Sequence, residues 1–190
     1  MTERWPAQPT RRAVCAGALA LLAAPAAGDE RVIEDFGPGA EARWQVFTDR
    51  VMGGVSTGRA ALGEEAGQRF LRLSGTVSTA NNGGFLQARL VLGTALARDA
   101  QGLELTVRGD GQPYFVHLRT SRTRLPWQFY QSSFGTGPGW SDVRLDWASF
   151  VPKGRGLGAA LVPVEIRSLA IAAYGRDHEA DVSVARIATF

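Results

Sequence analysis

The stretch Leu103-Glu104-Leu105-Thr106-Val107-Arg108 alternates apolar and polar side chains without a break. Successive side chains of a strand point to opposite faces. A period of two therefore puts Leu103, Leu105 and Val107 on one face and Glu104, Thr106 and Arg108 on the other. Gly109-Asp110-Gly111 follows as a turn signal, with Asp110 as a turn residue. Tyr114-Phe115-Val116-His117-Leu118-Arg119-Thr120 then returns as a second strand.

The same signal recurs in both directions. Upstream lie Arg31 to Phe36, Trp44 to Phe47, a weak strand over Gly58 to Leu62, Phe70 to Val77, and Phe85 to Leu92. Downstream lie Trp127 to Phe134, Trp140 to Leu145, Ile166 to Tyr174, and Val182 to Phe190. Only Thr94 to Ala100 and Trp147 to Phe150 look briefly helical. About ten strands with turn signals every 8 to 15 residues or so predict an all-β sandwich. The irregular Gly154 to Pro163 is expected to cross between sheets.

Two glycine-rich stretches interrupt this pattern. The first is Thr48-Asp49-Arg50-Val51-Met52-Gly53-Gly54-Val55-Ser56-Thr57-Gly58. Gly53-Gly54 permits positive φ or a close chain approach. Val51 and Met52 offer something to bury between charges and glycines. The second is Val77-Ser78-Thr79-Ala80-Asn81-Asn82-Gly83-Gly84-Phe85.

With this pair in view, the chain resembles the complex I intermediate-associated protein 30 family. The resemblance rests on Asp49 to Ser56 and Asn81 to Phe85. Further support comes from Gly109-Asp110-Gly111 leading to Tyr114, Trp127 to Phe134, Trp140 to Phe150, and Gly154-Arg155-Gly156. It covers residues 44–190. It implies a jelly-roll sandwich like the galactose-binding domains. It also implies that Asp49, Asn82, Arg89 and Arg155 occupy recurring polar positions. The family takes its name from a mitochondrial protein that helps assemble respiratory complex I. A non-enzymatic domain that docks a protein partner is therefore expected, with a respiratory-membrane subunit as first candidate.

The chain has 190 residues, enough for a single domain over 29–190. Residues 1–28 read as an export signal: Arg11-Arg12 precede an apolar run from Ala13 to Ala27, with small residues at Ala24, Ala26 and Gly28. Thr10 to Val14 resembles a twin-arginine signal, and an ordinary secretory signal is the alternative. Either predicts an exported, periplasmic protein. Cys15, the only cysteine, lies in this segment, so the remainder has no disulfide or thiol chemistry. Net charge is +3, of which residues 1–28 carry +2. Beyond residue 28, no basic run exceeds two residues, which argues against nucleic acid as a partner.

Catalytic patterns are missing. His117 sits in an alternating strand and reads as packed, and His178 as part of a polar turn. No H-x-x-x-H spacing or nucleophile elbow occurs, and no metal or cofactor is implied. Asp110 and Asp142 would form a glycosidase pair only if they met within about 5–10 Å.

The polar residues on strands are more informative. Arg89, Arg119 and Gln131 each lie among bulky apolar residues. A buried arginine needs a partner, and Asp49 is a natural one. A guanidinium also presents a planar fork to carboxylates or sugar hydroxyls. Trp127, Tyr130 and Trp140 could stack on a sugar ring. The expected ligand- or partner-binding set is thus Asp49, Met52, Gly53, Gly54, Asn82, Arg89, Arg119, Gln131 and Arg155. Carbohydrate or small-ligand binding is the alternative to protein docking. A structural role, with Asp49 and Asn82 pinning loops and arginines salt-bridging them, is the third reading.

Overall fold

The structure is a computed structural model that describes residues 1–2 and 31–190. The segment expected to be an export signal, with Cys15, falls outside the described residues. Among the described residues, twelve strands form two antiparallel sheets. The first sheet contains β1 (Arg31–Glu34), β3 (Thr57–Glu65), β4 (Gln68–Val77), β6 (Gly102–Gly109), β9 (Ser141–Asp146) and β12 (His178–Thr189), in the order β3-β4-β12-β6-β9 with β1 paired to β12. The second contains β2 (Trp44–Thr48), β5 (Phe85–Val91), β7 (Tyr114–Thr120), β8 (Phe129–Phe134), β10 (Val151–Lys153) and β11 (Ile166–Tyr174), in the order β10-β8-β7-β11-β5-β2. This is the expected all-β, jelly-roll sandwich.

The inner faces meet in one core. Leu73, Leu103, Leu105 and Ile187 of the first sheet pack with Leu86, Leu118, Leu169 and Ile171 of the second, all essentially inaccessible. Each such side chain contributes about 1.5–3 kcal/mol relative to exposure. Tyr114 and Tyr130 are buried too, and each hydroxyl has a partner. Tyr114 donates to Asp110 at 3.0 Å, and Tyr130 to the Gly158 carbonyl at 2.9 Å.

Several local expectations change. β6 and β7 belong to opposite sheets, so the segment around Gly111 carries the chain across the sandwich and does not close a hairpin. Residues 154–163 do not cross between sheets: they run from β10 to β11, both in the second sheet. Thr94 to Ala100 forms no helix, and Trp147–Ser149 is one 3-10 turn. His178 opens β12 and does not sit in a turn, because Asp177 is tied to Thr79 and the ladder to β4 starts immediately after it.

The outer face of the first sheet is a lattice of compensated charge. Arg72 meets Asp181 in two hydrogen bonds of 2.6–2.7 Å, Arg144 meets its cross-strand partner Glu104, and Arg108 meets Glu65. Opposite charges on facing strands support the pairing.

Candidate functional site

The two glycine-rich stretches are both crossovers. One leads from β2 to β3, the other from β4 to β5, so each passes between the sheets. Asp49 joins them. It begins a 3-10 turn, Asp49–Met52, and is fully buried. Its carboxylate accepts from Ser56 N at 2.9 Å, Gly84 N at 2.6 Å and Phe85 N at 3.3 Å, and from the Ser56 hydroxyl. Ser56 Oγ in turn accepts from Ser78 N at 3.0 Å. Burial alone would push the Asp49 carboxyl up. The donors from Gly84, Ser56 and Phe85 outweigh it and hold its pKa below the usual carboxylate value.

This crowding accounts for the glycines. A Cβ on Gly54 would fall 2.3 Å from Asp49 Cγ, and one on Gly83 would fall 2.4 Å from Asp49 Oδ2. Their partners Gly53 and Gly84 have φ of 90° and 120°. Each pair thus contains one glycine that makes room and one that turns the chain.

Asp49 therefore does not pair with an arginine, as the sequence suggested. Backbone amides already satisfy it. Turning Asp49 inward also swings Val51 and Met52 outward. They are 75% and 60% exposed and plug nothing. Asn82 has φ 58° and Asn81 φ 56°. Asn81, not Asn82, stitches the loops, donating to Gly53 O at 3.3 Å.

Beside this clamp, on the outer face of the second sheet, is a cleft of about 720 Å³. Its floor follows from β11. Ser168, Ala170 and Ala172 face outward there, with Leu169, Ile171 and Ala173 facing the core. Small residues on a central strand flanked by long ones hollow out a sheet face. One cross-strand row reads Gln45, Arg89, Ala170, His117, Gln131, from β2 to β8. At about 4.8 Å per strand, Arg89 and His117 stand about 9.6 Å apart at the backbone with only Ala170 between.

Ring side chains wall the cleft: Phe47, Phe85, His117, Trp127, Phe129 and Tyr174. His117 stacks on Phe129 at 4.2 Å and meets Tyr174 edge-on at 5.3 Å. It is 7% exposed, and its pKa is pushed down to about 3 by burial and then by the charges of Arg89 and Lys153. Its Nε2 and the Oε1 of neighbouring Gln131 are both buried without a hydrogen-bond partner among the described residues. A buried polar atom in that condition costs about 1–3 kcal/mol.

Among the described residues, the cleft arginines have no acidic partners. Arg89 lies over the Phe47 ring at 4.6 Å. Arg119 donates to the carbonyls of Pro126 at 2.9 Å and Leu125 at 3.1 Å, which holds the loop carrying Trp127. Gln128 braces that loop from the other side, accepting from Leu125 N at 3.0 Å and donating to the Arg155 carbonyl at 2.7 Å. Burial lowers the pKa of both arginines, and the charge of Arg119 lowers that of Arg89 further.

Of the expected set, Met52, Asn82, Arg89 and Arg119 line the cleft. Gln131 adjoins its floor. Asp49, Gly53 and Gly54 form the clamp at its end, and Arg155 supports the Trp127 loop from behind. Of the three rings expected to stack, Trp127 alone is at the cleft, 59% exposed. Tyr130 is in the core, and Trp140 packs on Phe70 across the sandwich. The sequence reading missed Phe47, Phe85, Phe129 and Tyr174. Only the strand register shows that each takes the outward phase, opposite the one that faces the core. Asp110 and Asp142 do not converge. Asp142 faces Thr106, four residues and about 13 Å along β6 from Asp110.

Fold and cleft define a galactose-binding-like β-sandwich with a hollow on one outer face. The chain belongs to the complex I intermediate-associated protein 30 family, whose model matches residues 35–182. Among curated proteins none matches the sequence. Similar solved structures include a family 11 carbohydrate-binding module from Clostridium thermocellum in complex with a β-1,3-1,4-mixed-linked tetrasaccharide. It has 13% identity and a TM-score of 0.69, with 85% of this chain and 95% of that one covered. An exo-β-agarase matches with 8% identity and a TM-score of 0.53, over 84% of this chain and 25% of that one. A family 30 carbohydrate-binding module matches with 13% identity and a TM-score of 0.51, over 72% and 92%. These likenesses concern the fold.

Proposed function

We propose that the domain acts by binding, without chemical transformation, and that the cleft takes a saccharide. The observation that carries this reading is the cleft itself. Its volume of about 720 Å³ lies within the usual 300–1,000 Å³ of ligand sites. Aromatic faces suit the C–H faces of a sugar ring, and Arg89, Gln87 and Asn82 offer hydrogen bonds to hydroxyls. The tetrasaccharide bound by the family 11 module gives this fold a precedent, at the level of analogy. Glycan-array binding tests the proposal. Wild-type protein should retain at least one glycan class, and Trp127→Ala or Phe129→Ala should lose it. A flat array would overturn it.

A second reading, docking of a protein partner, is favoured by the exposed apolar rim of Val51, Met52 and Trp127. The family description gives it a direction, toward a respiratory-membrane subunit. Cross-linked recovery of such a subunit by the wild type, lost in Val51→Asp/Met52→Asp, would support it. Recovery unaffected by the double variant would exclude the rim.

Export to the periplasm belongs to the same proposal and rests on the pattern of residues 1–28. Cell fractionation of the tagged chain tests it, and a purely cytoplasmic distribution would refute it.

A further inference from the structure

We propose that the saccharide is an acidic one, a uronate chain whose carboxylate sits on the Arg89 guanidinium. This deepens the saccharide reading and rests on it. The two outer faces differ in how their arginines are paired. On the first sheet, three arginines are matched by carboxylates: Arg72 by Asp181, Arg144 by Glu104, Arg108 by Glu65. At the edges Arg43 is matched by Glu34 and Arg122 by Glu165. The cleft differs from these pairs in having several arginines together and no acid among them. Arg89, Arg119 and Arg124 line it, and no carboxylate does.

Composition does not explain the imbalance, since beyond residue 28 the chain carries a net charge of only +1. Nor does exposure. Arg72, more than half exposed, has its acid, whereas Arg89 is half-buried, where an unpaired charge costs more. The protein holds a guanidinium on an aromatic wall, beside a second cation, with no acid among the described residues to neutralise either. An anion from outside completes the arrangement.

The rest of the floor suits a sugar acid better than a bare anion. Arg89 presents a fork for two carboxylate oxygens. About two strand spacings away, past Ala170, stands His117, whose Nε2 lacks a partner. That nitrogen is buried, and it is the Gln87 and Asn82 amides lining the same cleft that can meet ring hydroxyls. Phe129 and Tyr174 close the apolar side. A carboxylate at one end, hydroxyls at the other and a flat apolar face between them describe a hexuronate residue.

The test is calorimetric titration of the full chain with trimers of galacturonate, glucuronate and mannuronate, each beside its carboxyl-reduced neutral counterpart. At least one uronate should bind more than about tenfold tighter than its neutral counterpart, as a charge-assisted bidentate pair implies. The gap should narrow with added salt. Arg89→Gln should abolish it, Arg89→Lys should keep part of it, and Arg72→Gln on the opposite sheet should leave it unchanged. Equal affinity for acidic and neutral trimers would overturn the acid proposal and leave the saccharide reading standing. Binding of neither would remove both.

Discussion

The Gly84 amide donates to the Asp49 carboxylate at 2.6 Å, across 35 residues of sequence. That bond ties the β2–β3 crossover to the β4–β5 crossover, and it sets one end of the cleft. Removing the carboxylate strands three backbone amides, two of them in buried bonds, while the Ser56 hydroxyl keeps the Ser78 carbonyl. Asp49→Ala should therefore destabilise the domain by about 3–4 kcal/mol, near the upper end for single substitutions. Asp49→Asn keeps an acceptor and should cost less. Denaturant titration of both variants checks the order.

The glycines around Asp49 should separate into two classes. Gly54→Ala and Gly83→Ala bring a methyl group against a carboxylate that cannot retreat, and each should cost about 2–3 kcal/mol, as overpacking does. Gly53→Ala meets no atom and bears only the strain of φ 90°, about 1 kcal/mol. Equal losses at the three positions in thermal melts would contradict the crowding argument.

His117 should give the fold a pH dependence of known sign. Its folded pKa of about 3 is below the unfolded value of 6.5, so the unfolded chain binds the extra proton between these limits. Its contribution is fully present above about pH 6.5 and is lost as pH falls toward 3, at up to about 1.4 kcal/mol per pH unit. His117→Gln should flatten stability between pH 4.5 and 6.5. The depressed Asp49 carboxyl acts only below that range, where stability falls with protonation, and Asp49→Asn should remove that part.

The hollow depends on small residues of β11. Ala170 lies between Arg89 and His117 in one row, so Ala170→Leu pushes a side chain into the cleft without touching the core face. Ligand affinity should fall more than about tenfold, with the circular dichroism spectrum retained. Unchanged affinity would move the site elsewhere.

Much of this was legible in the sequence, for physical reasons. Leu103 to Arg108 has one face in the core and one in solvent, so its period of two survives in the text. Asp49 with Gly53-Gly54, and Asn82 with Gly83-Gly84, were visible as unusual stretches, because crowding around a buried carboxylate tolerates no side chain. That the two meet was not legible, since only the crossing of the sheets brings them together. The cleft was half legible. Arg89 and Arg119 stand out among apolar neighbours, whereas Phe47, Phe129 and Tyr174 look like core until the register shows that they face outward. Ala170 and Ser168 carry no signal at all. A hollow is made by what is small, and its depth depends on the strands on either side.

The most direct test of the central claim is a backbone amide NMR titration of the full chain with the saccharide that binds best. Binding in the cleft predicts shifts confined to Arg89 on β5, His117 and Arg119 on β7, Ser168 and Ala170 on β11, and the Trp127 loop. Amides of β3, β4 and β9 on the opposite sheet should stay in place. Shifts centred on that opposite sheet, or none at saturating ligand, would contradict the account.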